Sequence, residues 1–335
     1  MLAIALFALL AGGLEFLARS APVAAYVASR PADVATEPAH AARLNALSLQ
    51  PRPRVLVVGD SVALGRIMAD HGIGGWQSQE LSAALRKALR QERPDIVVAN
   101  FAGNGLRPAD QAELMREAAE VGVDAIVLVV GLRGFSAEFE QEAERYTYPW
   151  LRDPAKVAGN SVRLASSSFD PAGPWHFRAV TDFLVVDRLG GPLRTLLTQL
   201  REEAKAGQPN PTREAVQALR MRQRLANAGF DPATRFQAGK IAETLRFLNA
   251  RDVPVVVVYA TENPAALPRM MPPAMIARNR AALEGLVRFG GNRHAYLGPD
   301  SSMRTEFFLD QMHPTAAGYE QMARRIAPVL LGVLK

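Results

Sequence analysis

A chain of 335 residues with 49% hydrophobic and 21% charged residues has a globular composition and is long enough to bury a substantial core. Cysteine is absent, which excludes disulfide frameworks, thiolate metal sites and cysteine nucleophiles. The net charge is +6; the basic residues are almost wholly arginines spread among acids, with no basic run of the kind that binds nucleic acid.

Met1 to Leu14 carries no charged side chain, and Glu15 and Arg19 follow. The run is shorter than the roughly 20 residues of a membrane span and fits the apolar core of a secretory signal, although no basic residues precede it. Residues 1–19 are expected to be a signal peptide or membrane anchor, which places the protein in the cell envelope, periplasmic or membrane-anchored. A buried N-terminal helix is the alternative. Residues 20–53 are Ala/Pro-rich and are expected to form a tether, partly helical at most.

From Arg54 to the end, 54–335, the chain reads as one domain in which apolar runs alternate with amphipathic segments. "RVLVV" (54–58), "DIVVANF" (95–101), "AIVLVV" (125–130) and "VPVVVVYA" (253–260) predict strands of a parallel sheet covered on both faces. Leu81, Leu85 and Leu89 mark a helical stripe within 77–90, and 110–120 predicts a second helix closed by Val121-Gly122. Ile241, Leu245 and Leu248 predict a third, and Tyr319, Met322, Ile326 and Leu330 the core face of a C-terminal helix. Residues 135–235 break this rhythm. They hold an apolar patch at Phe183 to Val186 and a polar helical segment from Thr212 to Ala228. They are expected to form a largely helical insertion, either a lid or partner surface or a mere elaboration.

Open parallel sheets gather functional groups in loops at the carboxyl ends of their strands. Gly59-Asp60-Ser61 follows the first strand, "NFAGNGLRP" (Asn100 to Pro108) the second, and Gly131-Leu132-Arg133-Gly134 the third. Gly-Asp-Ser suits a strand-to-helix turn capped by Asp60 or Ser61, and equally a serine nucleophile. A serine needs an imidazole to take its proton and a carboxylate to hold that imidazole. Asp310 and His313, three residues apart before the last helix, can supply both, although Asp-x-x-His also suits a helix cap beside a surface histidine. The second glycine of a nucleophile elbow is missing, and "GNG" lacks the spacing of a phosphate loop. His71, His176 and His294 have no metal-ligand spacing. Trp76, Trp150 and Trp175 read as packing residues, the latter two with a sugar site as the alternative.

The ordered set Gly-Asp-Ser, Asn-x4-Gly and Asp-x-x-His resembles the SGNH hydrolase superfamily, or GDSL-type esterases, over 54–134 and 253–334. The resemblance implies a three-layer α/β/α flavodoxin-like sandwich with a central parallel sheet. It also implies a serine-dependent O-acyl ester hydrolase or acyltransferase that uses no metal or organic cofactor. Ser61 would be nucleophile and, through its backbone N–H, an oxyanion donor; Asp310 and His313 would complete the triad. Gly105 would be the second donor, with Gly103 as fallback. The family's third block, Gly-x-Asn, reads Gly131-Leu132-Arg133 here, so the third donor falls to Arg133 or Asn104, unless Arg133 is a surface or salt-bridging residue. The layout resembles membrane-anchored members that act on cell-surface polysaccharides. That implies an acylated carbohydrate substrate, membrane contact through the N-terminal segment, and a membrane acyltransferase partner. The alternative is a non-catalytic SGNH-fold protein that binds a glycan or such a partner, favoured by Arg133 and opposed by the intact Ser61, Asp310 and His313.

Overall fold

The computed structural model describes residues 37–152 and 211–334. The four apolar runs form β1 (Arg54–Gly59), β2 (Val97–Asn100), β3 (Ala125–Val130) and β4 (Val255–Tyr259), and β5 (Ala295–Leu297) joins them at one edge. All pair in parallel, in the order β2-β1-β3-β4-β5. This is the flavodoxin-like order of a doubly wound sheet. β3 and β4 are buried at every position, which is why they read as unbroken apolar runs. β5 is three half-buried residues long, too short to leave a pattern in the sequence.

The helices that frame the sheet are α1 (Glu37–Ser48), α2 (Ser61–Leu64), α3 (Leu81–Leu89), α4 (Pro108–Glu120), α5 (Pro211–Ala226), α6 (Phe236–Ala250), α7 (Pro273–Gly290) and α8 (Ala316–Val333). Alternate strand side chains face opposite ways. Leu56, Val58, Ile126, Leu128, Val255 and Val257 pack with α1, α4, α6 and α7. Val55, Val57, Val127, Val129, Val256 and Val258 pack with α2, α3 and α8 on the other face. Three layers therefore enclose two cores, as the alternation of strand and helix predicts. The stripes Leu81, Leu85, Leu89 and Tyr319, Met322, Ile326, Leu330 are buried, as their spacing requires.

The Ala/Pro-rich stretch expected as a tether, partly helical at most, is helical over Glu37–Ser48, and this helix docks on the domain. His40, Arg43, Leu44 and Leu47 lie on one face of α1 and are all buried. His40 meets Glu117 of α4, and the Arg43 guanidinium donates to the Asn100 carbonyl. The high Ala and Pro content concealed a sparse but sufficient apolar stripe.

Residues 1–36, with the expected signal or anchor, and 153–210, with Trp175, His176 and the patch Phe183 to Val186, lie outside the described residues. Around that gap, α5 matches the expected polar helix. Residues 132–152 are short 3-10 turns, joined to the end of α5 through a bridge between Ser136 and Ala228. Among the described residues no helix is long and apolar enough to cross a membrane.

Candidate active site

β1 ends on Gly59 because the chain doubles back at once into α2. A Cβ at Gly59 would lie 2.5 Å from the Ala63 Cβ and 3.1 Å from Val129. Asp60 is extended and caps α2, its Oδ1 accepting from the Val62 N–H at 2.9 Å. The helix-cap reading of Gly-Asp-Ser is thus met by Asp60, and Ser61 is the first residue of the helix. As the first helical residue, Ser61 has a backbone N–H with no acceptor inside the helix.

Ser61 meets a histidine 252 residues away, with Oγ 2.9 Å from His313 Nε2. His313 Nδ1 lies 2.7 Å from Asp310 Oδ2. A carboxylate can only accept, so Nδ1 carries the proton and Nε2 is left to accept from the serine hydroxyl. Asp310 divides its oxygens: Oδ1 accepts from the backbone N–H groups of Met312 (2.8 Å) and His313 (2.9 Å), folding the loop that presents the imidazole. Asn263, beyond the end of β4, braces that loop by donating to the Asp310 carbonyl at 3.0 Å. The helix cap is Thr315, whose side chain accepts from the Gly318 N–H; Asp310 serves the imidazole instead.

Arg133 reaches the same point from the end of β3. Its guanidinium pairs with Asp60 and lies 3.5 Å from Ser61 Oγ, with only 16% of the side chain exposed. It is thus a salt-bridging residue and a neighbour of the serine at once. Glu262, buried behind it, accepts from the Tyr259 hydroxyl at 2.6 and 2.8 Å. Burial pushes the Glu262 carboxyl up, while the Tyr259 hydrogen bond and the Arg280 and Arg133 charges act against that rise.

The loop after β2 separates the two glycine candidates. The Gly103 N–H already donates to the Gly59 carbonyl at 3.1 Å, which continues the β1–β2 pairing. That engagement removes the fallback donor. Gly105 stands two residues on, exposed, at φ +74°. Asn104 is also exposed.

Behind the serine stand Asn100, the first residue of Asn-x4-Gly, and Tyr319 and Glu80, which no motif singled out. The Tyr319 hydroxyl donates to the Val62 carbonyl at 2.6 Å, and Asn100 Nδ2 donates to the Ala63 carbonyl at 3.3 Å and to Glu80 at 2.8 Å. Glu80 caps α3 and is fully buried. Burial raises its carboxyl, and hydrogen bonds from Ser82, the Arg86 charge and Asn100 oppose the rise. Glutamate is not a usual cap, so Glu80 left no signal. His294 is pinned between the Val255 N–H and the Leu245 carbonyl, and Trp76 is buried, both structural as expected. Trp150 packs against His40 and Tyr148. Among the described residues no group of three or more His, Asp or Glu is arranged to hold a metal ion.

No family model and no curated protein sequence matches the chain. Among solved structures, it is similar to that of TesA at 15% identity and a TM-score of 0.44, over 84% of this chain and 99% of that one. It is also similar to a GDSL-like lipase from Bacteroides thetaiotaomicron at 12% identity and a TM-score of 0.42, over 89% and 98% of the two chains.

Burial alone would raise the Asp310 carboxyl. The hydrogen bond and charge of His313, with the Met312 and His313 backbone N–H groups, outweigh it and bring the pKa down from 3.8 to about 2. A carboxyl depressed on folding adds stability above its unfolded pKa, and that stability fades as pH falls through 4 toward 2. Asp310→Asn should therefore cost about 2 kcal/mol near pH 6, with the gap from wild type closing by pH 2. Urea melts of both proteins across that range check this. A gap independent of pH contradicts it.

Proposed function

We propose that this chain is a serine ester hydrolase of the SGNH type, acting on O-acyl groups. The observation that carries the reading is the hydrogen-bonded row Asp310, His313, Ser61, set at the carboxyl end of a parallel sheet. Ser61 Oγ attacks the ester carbonyl carbon as its proton passes to His313 Nε2, and the carbonyl oxygen takes the displaced electron pair. Asp310 holds the imidazole in the needed tautomer and stabilises the imidazolium. Collapse of the intermediate breaks the bond to the alcohol, which leaves with the proton from His313. Water then repeats the sequence on the acyl-enzyme and releases the acid; a sugar hydroxyl in place of water makes the same chemistry an acyl transfer. The Ser61 and Gly105 N–H groups and the Arg133 guanidinium are assigned to the oxyanion.

The substrate class we propose is an acylated carbohydrate of the cell envelope, with a membrane acyltransferase as possible partner. The uncharged run at 1–14 and the net charge of +6 support that placement. Cell fractionation that recovers the intact chain as a fully soluble cytoplasmic protein would remove it. The second reading, a non-catalytic binder, draws on Arg133 standing where the family has Asn. Labelling of Ser61 by a fluorophosphonate probe separates the two.

Ser61→Ala and His313→Ala should each abolish turnover of an aryl acetate without unfolding the protein, measured by initial rates and thermal melting. Wild-type turnover in purified Ser61→Ala would end the serine mechanism. Arg133→Ala should lower kcat on the order of 10²-fold with little change in KM, because its charge favours the oxyanion over the neutral ester. Arg133→Asn should recover part of that loss. A rise in KM alone would instead make Arg133 a binder of an anionic substrate group, and unchanged kinetics would transfer the third-donor role to Asn104.

A further inference from the structure

The segment that leads into the insertion is stapled onto the turn that carries Gly105. Asp110, buried in the first turn of α4, accepts from the backbone N–H groups of Arg107 (2.9 Å), Thr147 (2.9 and 3.0 Å) and Tyr148 (3.3 Å). These bonds set two side chains over the turn. Thr147 Oγ1 donates to the Gly105 carbonyl at 2.6 Å, and the Tyr148 hydroxyl donates to the Asn104 carbonyl at 3.3 Å. The Tyr148 ring stacks on Trp150 at 6.2 Å, and Trp150 packs 5.1 Å from His40 of α1.

The turn is of a kind that has an alternative geometry. The Leu106 N–H bonds the Gly103 carbonyl at 3.4 Å, Gly105 has φ +74°, and Asn104 has no positive φ. That combination is a type II turn. Types I and II differ by a flip of the middle peptide, here the Asn104 carbonyl and the Gly105 N–H. In a trans peptide these two groups point in opposite directions. A hydroxyl bound to the Asn104 carbonyl therefore decides which way the Gly105 N–H faces.

We propose that Tyr148 is a positioning residue: its hydroxyl holds the Asn104–Gly105 peptide in the state that turns the Gly105 N–H away from Tyr148 and toward the oxyanion formed at Ser61. The proposal rests on the serine ester hydrolase reading and names what controls its second donor. Thr147 fixes the following peptide, so it anchors the turn without choosing the flip.

The test is Tyr148→Phe in the full chain, which keeps the ring and its stacking and removes only the hydroxyl. Aryl acetate kcat should fall roughly tenfold, between the net worth of one hydrogen bond and the loss of a whole oxyanion donor, with KM and melting temperature unchanged. Affinity for an arylboronic acid, which forms a tetrahedral adduct with the serine, should fall by the same factor. Gly105→Ala, strained at this φ, should lose at least as much, and adding Tyr148→Phe to it should cost nothing further. Wild-type kcat and boronate affinity in Tyr148→Phe, a loss in KM alone, or additive losses in the double variant would overturn the proposal. A wild-type protein that neither turns over ester nor labels at Ser61 would overturn the hydrolase reading and this proposal with it, a failure distinct from an active wild type matched by the Phe variant.

Discussion

Ser61 opens a helix of a single turn, and a single turn does not hold itself: its first hydrogen bond scarcely offsets the backbone freedom it removes. Its carbonyls must find donors elsewhere. The Ser61 carbonyl takes the Gly65 N–H at 3.1 Å, but the Val62 carbonyl depends on Tyr319 of α8 and the Ala63 carbonyl on Asn100 of β2. The position of Ser61 is therefore set by the sheet beside it and by the last helix. His313 is fixed to the same helix, since Tyr319 stands one turn into α8 and His313 in the loop just before it. Ser61 and His313 are distant in sequence yet share a mount, and the 2.9 Å contact between them follows from it.

The acids around Ser61 act in different directions. Asp310 faces the imidazole, and its carboxyl is held low because the groups around it favour the anion. Asp60 faces Arg133 and caps α2 with its other oxygen. A guanidinium this little exposed would be costly without a counter-charge. Asp60 supplies that counter-charge: the residue before the serine keeps the arginine from straying, and the pairing tempers the charge that Arg133 presents to Ser61.

What the sequence disclosed follows from what each element buries. β1 to β4 face two cores, so their apolar runs were legible, and the leucine and tyrosine stripes of α3 and α8 gave their buried faces. β5 is a short, half-buried edge, and the alanine-rich background of α1 masked its stripe. In the site, Ser61, Asp310 and His313 are short motifs at strand or helix boundaries, where chemistry is local enough to read. Glu80, Asn263, Tyr319 and Tyr148 act through contacts that exist only once distant segments meet. Tyr319 was recognised as a core residue, but nothing in its spacing reported that its hydroxyl would find the Val62 carbonyl.

The docking of α1 changes the reach of the domain. A membrane anchor at residues 1–19 with a leash running to Pro53 would leave about 34 residues between bilayer and folded body, a contour of roughly 120 Å. Because α1 belongs to the folded body, the segment 37–53, about 17 residues, is taken out of any such leash, which shortens its greatest contour by roughly 60 Å. If residues 1–19 were such an anchor, the domain would therefore reach a zone about half as deep, close to the membrane face.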